Sequence, residues 1–422
     1  MGKADLKSAS RCAAGTAWLT PKWWTRKVAG RLRFVRTGTD LARPDTEAAS
    51  ESSQMSNTNR FDRHRRVVLT FFTLFLVLAA DFVGKRIYEV YKERTHPDLD
   101  KRFRVRSPIY HHDLKSNVSV EGARWGDQTY SIHTDSLGFR DAVVREVPLT
   151  NSRPRVLFIG DSFTEAPVSW EESFVGIIAR DFERRGVDVL NAGVVSYSPS
   201  IYYAKCRHLL ETVGLRVQEI VVFIDISDAR DDGLNYELAP DGTVRSLTSP
   251  VPGWIKRNSL LFAEGVRAWE RWSSRGPVGN GGPQVVRGYE GAWTWDQRSY
   301  EDFGRKAEVR MVRNMDALLA LSRKHGIGLT IAFYPWPAQL FHTEVPCRSR
   351  QLWTRWAQEN RVPFLDLYPA FQRVPWEEAV KRYFIPGDVH WNPAGNALVA
   401  AEFLDAVNRG VVPSPRTNGP AR

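Results

Sequence analysis

The segment Val156-Leu157-Phe158-Ile159-Gly160-Asp161-Ser162-Phe163-Thr164 runs an apolar strand into Gly-Asp-Ser. Ser162 is therefore expected at the carboxyl end of a parallel strand, the edge at which open α/β sheets gather their ligands. A serine hydroxyl is almost fully protonated at neutral pH and becomes a nucleophile only beside a base. Of the nine histidines, His390 fits. It lies in Phe384-Ile385-Pro386-Gly387-Asp388-Val389-His390-Trp391-Asn392-Pro393, a loop that leads into an amphipathic helix. Asn392 can cap that helix, with Pro393 at its first position. Asp388 can accept from the imidazole, fix its tautomer and stabilise the imidazolium as it forms. Taken singly, Gly-Asp-Ser is also a phosphate turn or a plain Ser cap, and Asp-x-His is a common tripeptide. Their co-occurrence points to acyl transfer through Ser162, His390 and Asp388.

Attack on an ester carbonyl also needs donors for the oxyanion that develops. Asn191-Ala192-Gly193 follows the second apolar run, and a bare backbone N–H at Gly193 could join that of Ser162. Asp225-Ile226-Ser227-Asp228 follows the third and offers the Ser227 hydroxyl. His111, His112, His133, His208 and His325 have no metal-ligand spacing and read as surface or satisfied core residues. Cys12, Cys206 and Cys347 are too few and too scattered for a zinc site or a disulfide scaffold. Cys206 shares one helical face with Tyr202, Leu209, Leu210 and Val213, which reads as a buried hydrophobe. A Cys206–Cys347 bridge is the competing reading for an exported chain.

These residues need a sheet to hold them. Short apolar runs at Arg155–Ile159, Val187–Leu190, Ile220–Ile226, Leu329–Tyr334 and Pro363–Leu367 alternate with helical patterns, the mark of a doubly wound parallel sheet. Trp170, Phe174, Ile177, Ile178 and Phe182 recur near helical spacing before Gly186. Met311, Met315, Leu318, Leu319 and Ser322 do so before Gly326. Residues 98–150 read as a small β-rich leader packed on the main domain, which takes 151–410, with 411–422 a disordered tail. Residues 232–298 form a long insertion, rich in Gly and Pro around Gly276–Gly291, of the kind that serves as a lid or substrate loop. Trp293 and Trp295 within it are candidates for stacking on sugar rings, with local packing as the plainer use of such a pair.

The chain has 422 residues and a net charge of +11, concentrated at its start. Residues 1–66 carry fourteen Lys or Arg against six Asp or Glu, which leaves the body nearly neutral and excludes a phosphate-binding groove as its main business. That prefix reads as disordered, with Met55 an alternative start. Residues 67–87 follow as a membrane anchor or signal segment. The apolar run Val67–Gly84 is about 27 Å long as a helix, just enough for a bilayer core. Lys85 and Arg86 suit an uncleaved anchor, whereas Val77-Leu78-Ala79 suits a cleaved signal. The flanking charges are balanced, so export of the body, to the periplasm or the cell surface, rests on the signal-like layout of charged segment, apolar segment and small residues.

The Gly160–Ser162, Asn191–Gly193 and Asp388–His390 blocks together resemble the SGNH or GDSL family of serine esterases and acyltransferases, over roughly Leu137 to Asp405. Asp135-Ser136-Leu137-Gly138-Phe139-Arg140 resembles a leader often seen before that nucleophile strand. The resemblance implies a flavodoxin-like three-layer α/β/α sandwich that cleaves or transfers acyl groups, often acetyl and often on carbohydrate, without metal or organic cofactor. Two positions depart from the family pattern. Ser227 stands where an Asn usually completes the oxyanion hole, and Gly387 holds the usual place of the acid, so that Asp388 lies two residues before the His. That second spacing resembles cell-surface polysaccharide O-acetyltransferases. The expected protein is a membrane-tethered ester hydrolase acting on an acylated small molecule or glycan, with no nucleic-acid partner. The alternatives are a polysaccharide O-acyltransferase and a non-catalytic glycan-binding or assembly module of the same fold.

Overall fold

The computed structural model describes residues 46–95, 99–126, 128–150, 153–247, 253–273 and 289–414. Two compact units divide the chain between Leu74 and Phe75. The described part of the first is helical and belongs to the helix Thr46–Thr95. Residues 46–66, expected to be disordered, are helical instead. Propagation from the apolar run explains this, because each added residue costs far less than nucleation. From His64 to Thr95 the helix is long and apolar enough to cross a membrane, with an 18-residue window of mean hydropathy 2.3. Its Val68, Phe71, Phe75 and Leu78 side chains are all exposed. The remainder of the expected disordered prefix and tail, 1–45 and 415–422, lies outside the described residues.

Among its described residues the second unit has twelve strands. Those before Ser162 are β1 (Arg104–Ser107), β2 (His111–Leu114), β3 (Ser119–Trp125), β4 (Gln128–Thr134) and β5 (Arg140–Asp141). After them come β6 (Arg155–Gly160), β7 (Asp188–Asn191) and β8 (Glu219–Ile224), then β9 (Tyr236–Leu238) and β10 (Val244–Ser246) in the insertion, and finally β11 (Gly328–Phe333) and β12 (Phe364–Asp366). Eight strands form one sheet in the order β12-β11-β8-β6-β7-β5-β4-β3. Numbered along the chain, its five parallel strands lie in the order 2-1-3-4-5, which is the flavodoxin-like arrangement. All six residues of β6 and of β8 are buried, as strands covered on both faces must be.

Right-handed crossovers put the β6–β7 helix on one face and the later connections on the other. Helix Phe174–Arg184 packs against Pro393–Asn408, and Pro199–Arg207 packs against Arg305–His325, giving three layers. Gly326 ends the last of these helices in the left-handed region, at φ +66°. The leader does more than pack on this body: β3, β4 and β5 continue the same sheet with antiparallel pairing through β5 and β7. The insertion is also more ordered than its composition suggests, with the β9–β10 hairpin and helices Gly253–Asn258 and Leu260–Ser273. Its Gly-rich part at 274–288 lies outside the described residues.

Candidate active site

Strand β6 sits at the centre of the sheet, between β7 and β8, where the strand order reverses direction. The chain leaves it through Gly160, where a Cβ would come within 2.9 Å of the Phe223 carbonyl and closer still to Thr164. Asp161 then caps the short helix Ser162–Glu165, its Oδ1 accepting from the Phe163 N–H at 3.0 Å. Ser162 is thus the first helical residue, and its N–H has no partner among the described residues. Burial and the nearby Asp225 charge push the Asp161 carboxyl well above the usual range. It is therefore a weak competitor for the Ser162 hydroxyl, from which its Oδ2 lies 3.2 Å away.

The histidine arrives on a closed loop. Phe384 and Trp391 bridge its ends, Ile385 N–H donates to the His390 carbonyl, and Gly387 turns the chain at φ +79°. Asn392 caps the following helix through the Gly395 N–H at 3.0 Å, with Pro393 at its first position. This loop sets His390 Nε2 2.7 Å from Ser162 Oγ and His390 Nδ1 2.5 Å from Asp388 Oδ1. A carboxylate only accepts, so Nδ1 carries the proton and Nε2 is free to receive the one on Ser162. The His390 backbone N–H also donates to Asp388 Oδ1, at 3.0 Å. Burial opposes ionisation of Asp388, but the hydrogen bonds and charge of His390, with a further bond from Trp125, hold its pKa down at about 2. Phe163 stacks on the imidazole at 4.6 Å between centroids, and Trp125 meets it at a steep angle at 4.7 Å.

Three leader residues reach this site, and of them only Arg140 lies in a segment that the sequence singled out. Trp125, at the end of β3, donates its indole N–H to Asp388 Oδ2 at 2.9 Å. Arg104 donates through its two terminal nitrogens to both carboxylate oxygens of Glu165, at 2.9 and 2.7 Å. Arg140, fully buried, donates to the carbonyls of Glu165, Ala166 and Val168 at the end of helix Ser162–Glu165 and just beyond it. Ala166 there has φ +61°, a backbone conformation that costs a non-glycine residue about 1–3 kcal/mol and needs such support. The Asp135–Arg140 segment could have pointed to this role. Asp135 Oδ1 accepts from Leu137 and Phe139 N–H groups, and Gly138 lies so close to the Leu114 carbonyl that a Cβ would stand 2.6 Å away.

Other candidates fall elsewhere. The Gly193 N–H donates to Asn191 Oδ1 at 3.0 Å and so does not present a free oxyanion donor. What Gly193 provides is close packing, because a Cβ there would meet Thr164 at 2.6 Å. Both the N–H and the hydroxyl of Ser227 are taken by Asp225. Asx turns at Asn191 and Asp225 satisfy these donors locally, which removes both from the expected hole. Trp293 is fully buried, with its N–H on the Ile226 carbonyl at 3.1 Å, so it is core and cannot stack on a sugar. Trp295 is half-buried and stacks on His342 at 4.5 Å. Cys206 and Cys347 are both free: Cys206 is buried, its thiol pushed up to about 12 by desolvation, and Cys347 accepts from the Tyr368 hydroxyl. Cys12 lies outside the described residues.

No protein-family model and no curated protein matches the chain. Several solved structures are similar to it in part. An acetyl xylan esterase, AlAXEase, shares 15% identity at a TM-score of 0.36, over 60% of this chain and 99% of its own. Axe2, an acetylxylan esterase from Geobacillus stearothermophilus, shares 14% identity at 0.34, over 62% and 97%. The psychrotrophic esterase EstA from Pseudoalteromonas sp. shares 11% at 0.33, over 60% and 97%.

Proposed function

We propose that this chain is a serine hydrolase of the SGNH or GDSL type, acting on ester-linked acyl groups and tethered to a membrane through residues 67–84, with its body outside the cytoplasm. The observation that carries the reading is the continuous hydrogen-bonded chain from Ser162 Oγ through both nitrogens of His390 to Asp388. In the acylation step Ser162 attacks the ester carbonyl while His390 Nε2 takes the hydroxyl proton. His390 then returns that proton to the departing alcohol, and water deacylates Ser162 by the reverse sequence. Asp388 keeps the imidazole in the required tautomer and balances its positive charge. The Ser162 N–H, at the start of its helix, is the donor available to the oxyanion.

Acetyl esters of carbohydrate are the substrate class this reading favours, with a sugar hydroxyl in place of water as the acceptor if the enzyme transfers rather than hydrolyses. Incubation of the full-length chain in detergent with a chromogenic acetyl ester tests it: turnover that is lost in Ser162→Ala supports it, and no turnover refutes it. One observation favours a second reading, a non-catalytic glycan-binding module of the same fold. With Gly193 and Ser227 both engaged elsewhere, a single backbone donor remains, and loss of one such donor costs about 10²–10³-fold in rate. Saturable binding of an acetylated oligosaccharide without turnover would favour that module.

A further inference from the structure

The triad acid has two carboxylate oxygens, and only one of them serves the histidine. Asp388 Oδ1 receives both the Nδ1–H and the backbone N–H of His390. Oδ2 receives the indole N–H of Trp125, which lies 263 residues earlier in the chain. Asp388 sits on a tight loop beside Gly387 and its side chain is 28% exposed, so among the described residues its carboxylate is held only by the two His390 bonds to Oδ1 and the indole bond to Oδ2. Trp125 is half-buried at the end of β3, and that strand is anchored through β4 and β5 to the central sheet. The same indole meets the imidazole at 73° and 4.7 Å, opposite in character to Phe163, which lies within 30° of parallel at 4.6 Å. The carboxylate and the ring are thereby held by one side chain from the leader.

We propose that Trp125 is a positioning residue for the Asp388–His390 pair, and that the leader is thus a working part of the active site rather than a scaffold appended to it. The inference rests on the hydrolase reading for its kinetic consequence but not for its structural one. The indole N–H fixes the plane of the carboxylate so that Oδ1 stays in line with Nδ1–H, and it satisfies the oxygen that would otherwise turn toward solvent. By analogy with the outer partners of metal ligands, whose removal costs about 10–100-fold in activity, loss of this bond is expected to lower the rate by about tenfold.

The test replaces Trp125 in the full-length chain, in detergent, in two ways. Trp125→Phe removes the N–H and part of the ring. Site-specific incorporation of benzothienylalanine at 125 exchanges the N–H for sulfur and keeps the bicyclic shape, so that packing is preserved even where the phenylalanine variant folds poorly. Two quantities are read: the downfield proton resonance of His390 Nδ1–H, and kcat and KM on an acetyl ester. The expected result with benzothienylalanine is a resonance that moves upfield and broadens, with kcat down about tenfold and KM unchanged. An unchanged resonance in the folded benzothienylalanine protein would overturn the proposal, because a purely packing role survives that exchange. The resonance is present whether or not the protein turns over an ester, so an inactive wild-type chain would defeat the hydrolase reading and still leave Trp125 to be judged by it.

Discussion

Ser162 and His390 are separated by 228 positions in the chain and by 2.7 Å in space. The contact joins the end of the central strand β6 to the loop before the last helix, which are brought together by the 2-1-3-4-5 order of the parallel strands. Its consequence is that the site's integrity depends on elements from nearly the whole second unit.

Asp388→Asn should leave the fold unchanged and lower kcat on an acetyl ester by about 10³- to 10⁴-fold, since an amide can donate to Nδ1 and so favour the wrong tautomer. Steady-state kinetics beside a circular dichroism melt checks this. A loss under tenfold would mean that Asp388 does not orient the imidazole.

Arg140→Met removes the donor shared by the Glu165, Ala166 and Val168 carbonyls and leaves them unpaired in the interior. Each buried acceptor left without its donor costs about 1–3 kcal/mol. Urea unfolding should show the loss, and reactivity of Ser162 should fall even at temperatures where the variant remains folded, because the strained turn at Ala166 is no longer held.

Trp293→Ala should cost about 3–5 kcal/mol of stability, as expected of a buried indole, with KM for a small acetyl ester unchanged. An increase in KM without loss of stability would restore Trp293 to the substrate site.

Much of this architecture was legible because it is local. The five parallel strands announce themselves as short apolar runs, and the Asn392 cap and the Gly326 stop follow from residues within one turn of each. The Ser162–His390 pairing was legible because few residue types can act as a nucleophile or a base, and the structure brings the two within 2.7 Å. Pairings that depend on register across the sheet left no such mark: nothing in Ser119–Trp125 says that its strand extends the main sheet or that Trp125 ends on Asp388. Gly193 and Ser227 went the other way. Each lies two residues after an Asn or Asp, the spacing of an Asx turn, and that local bond took the donors assigned to the oxyanion.

Glu219, buried at the start of β8 and bonded by the Thr330 hydroxyl, is pushed up to about 7 from an ordinary value of 4.5, burial being the cause. Between those pH values the folded chain holds a proton that the unfolded chain has released, so stability falls as pH rises through the window. Glu219→Gln removes that dependence. The variant should gain on wild type from pH 4.5 to 7 and keep a constant lead above it, of about 3 kcal/mol at most. Urea midpoints at pH 4.5, 6 and 8 measure this, and a lead that shrinks with rising pH would contradict the assignment.

The reactivity of Ser162 is read most directly by treating the full-length chain with a fluorophosphonate and locating the adduct by peptide mass spectrometry. A single adduct on Ser162, formed in the wild-type chain and absent from His390→Ala, is the expected result. No adduct on Ser162, or one that forms as fast without His390, would contradict the assignment of an activated serine.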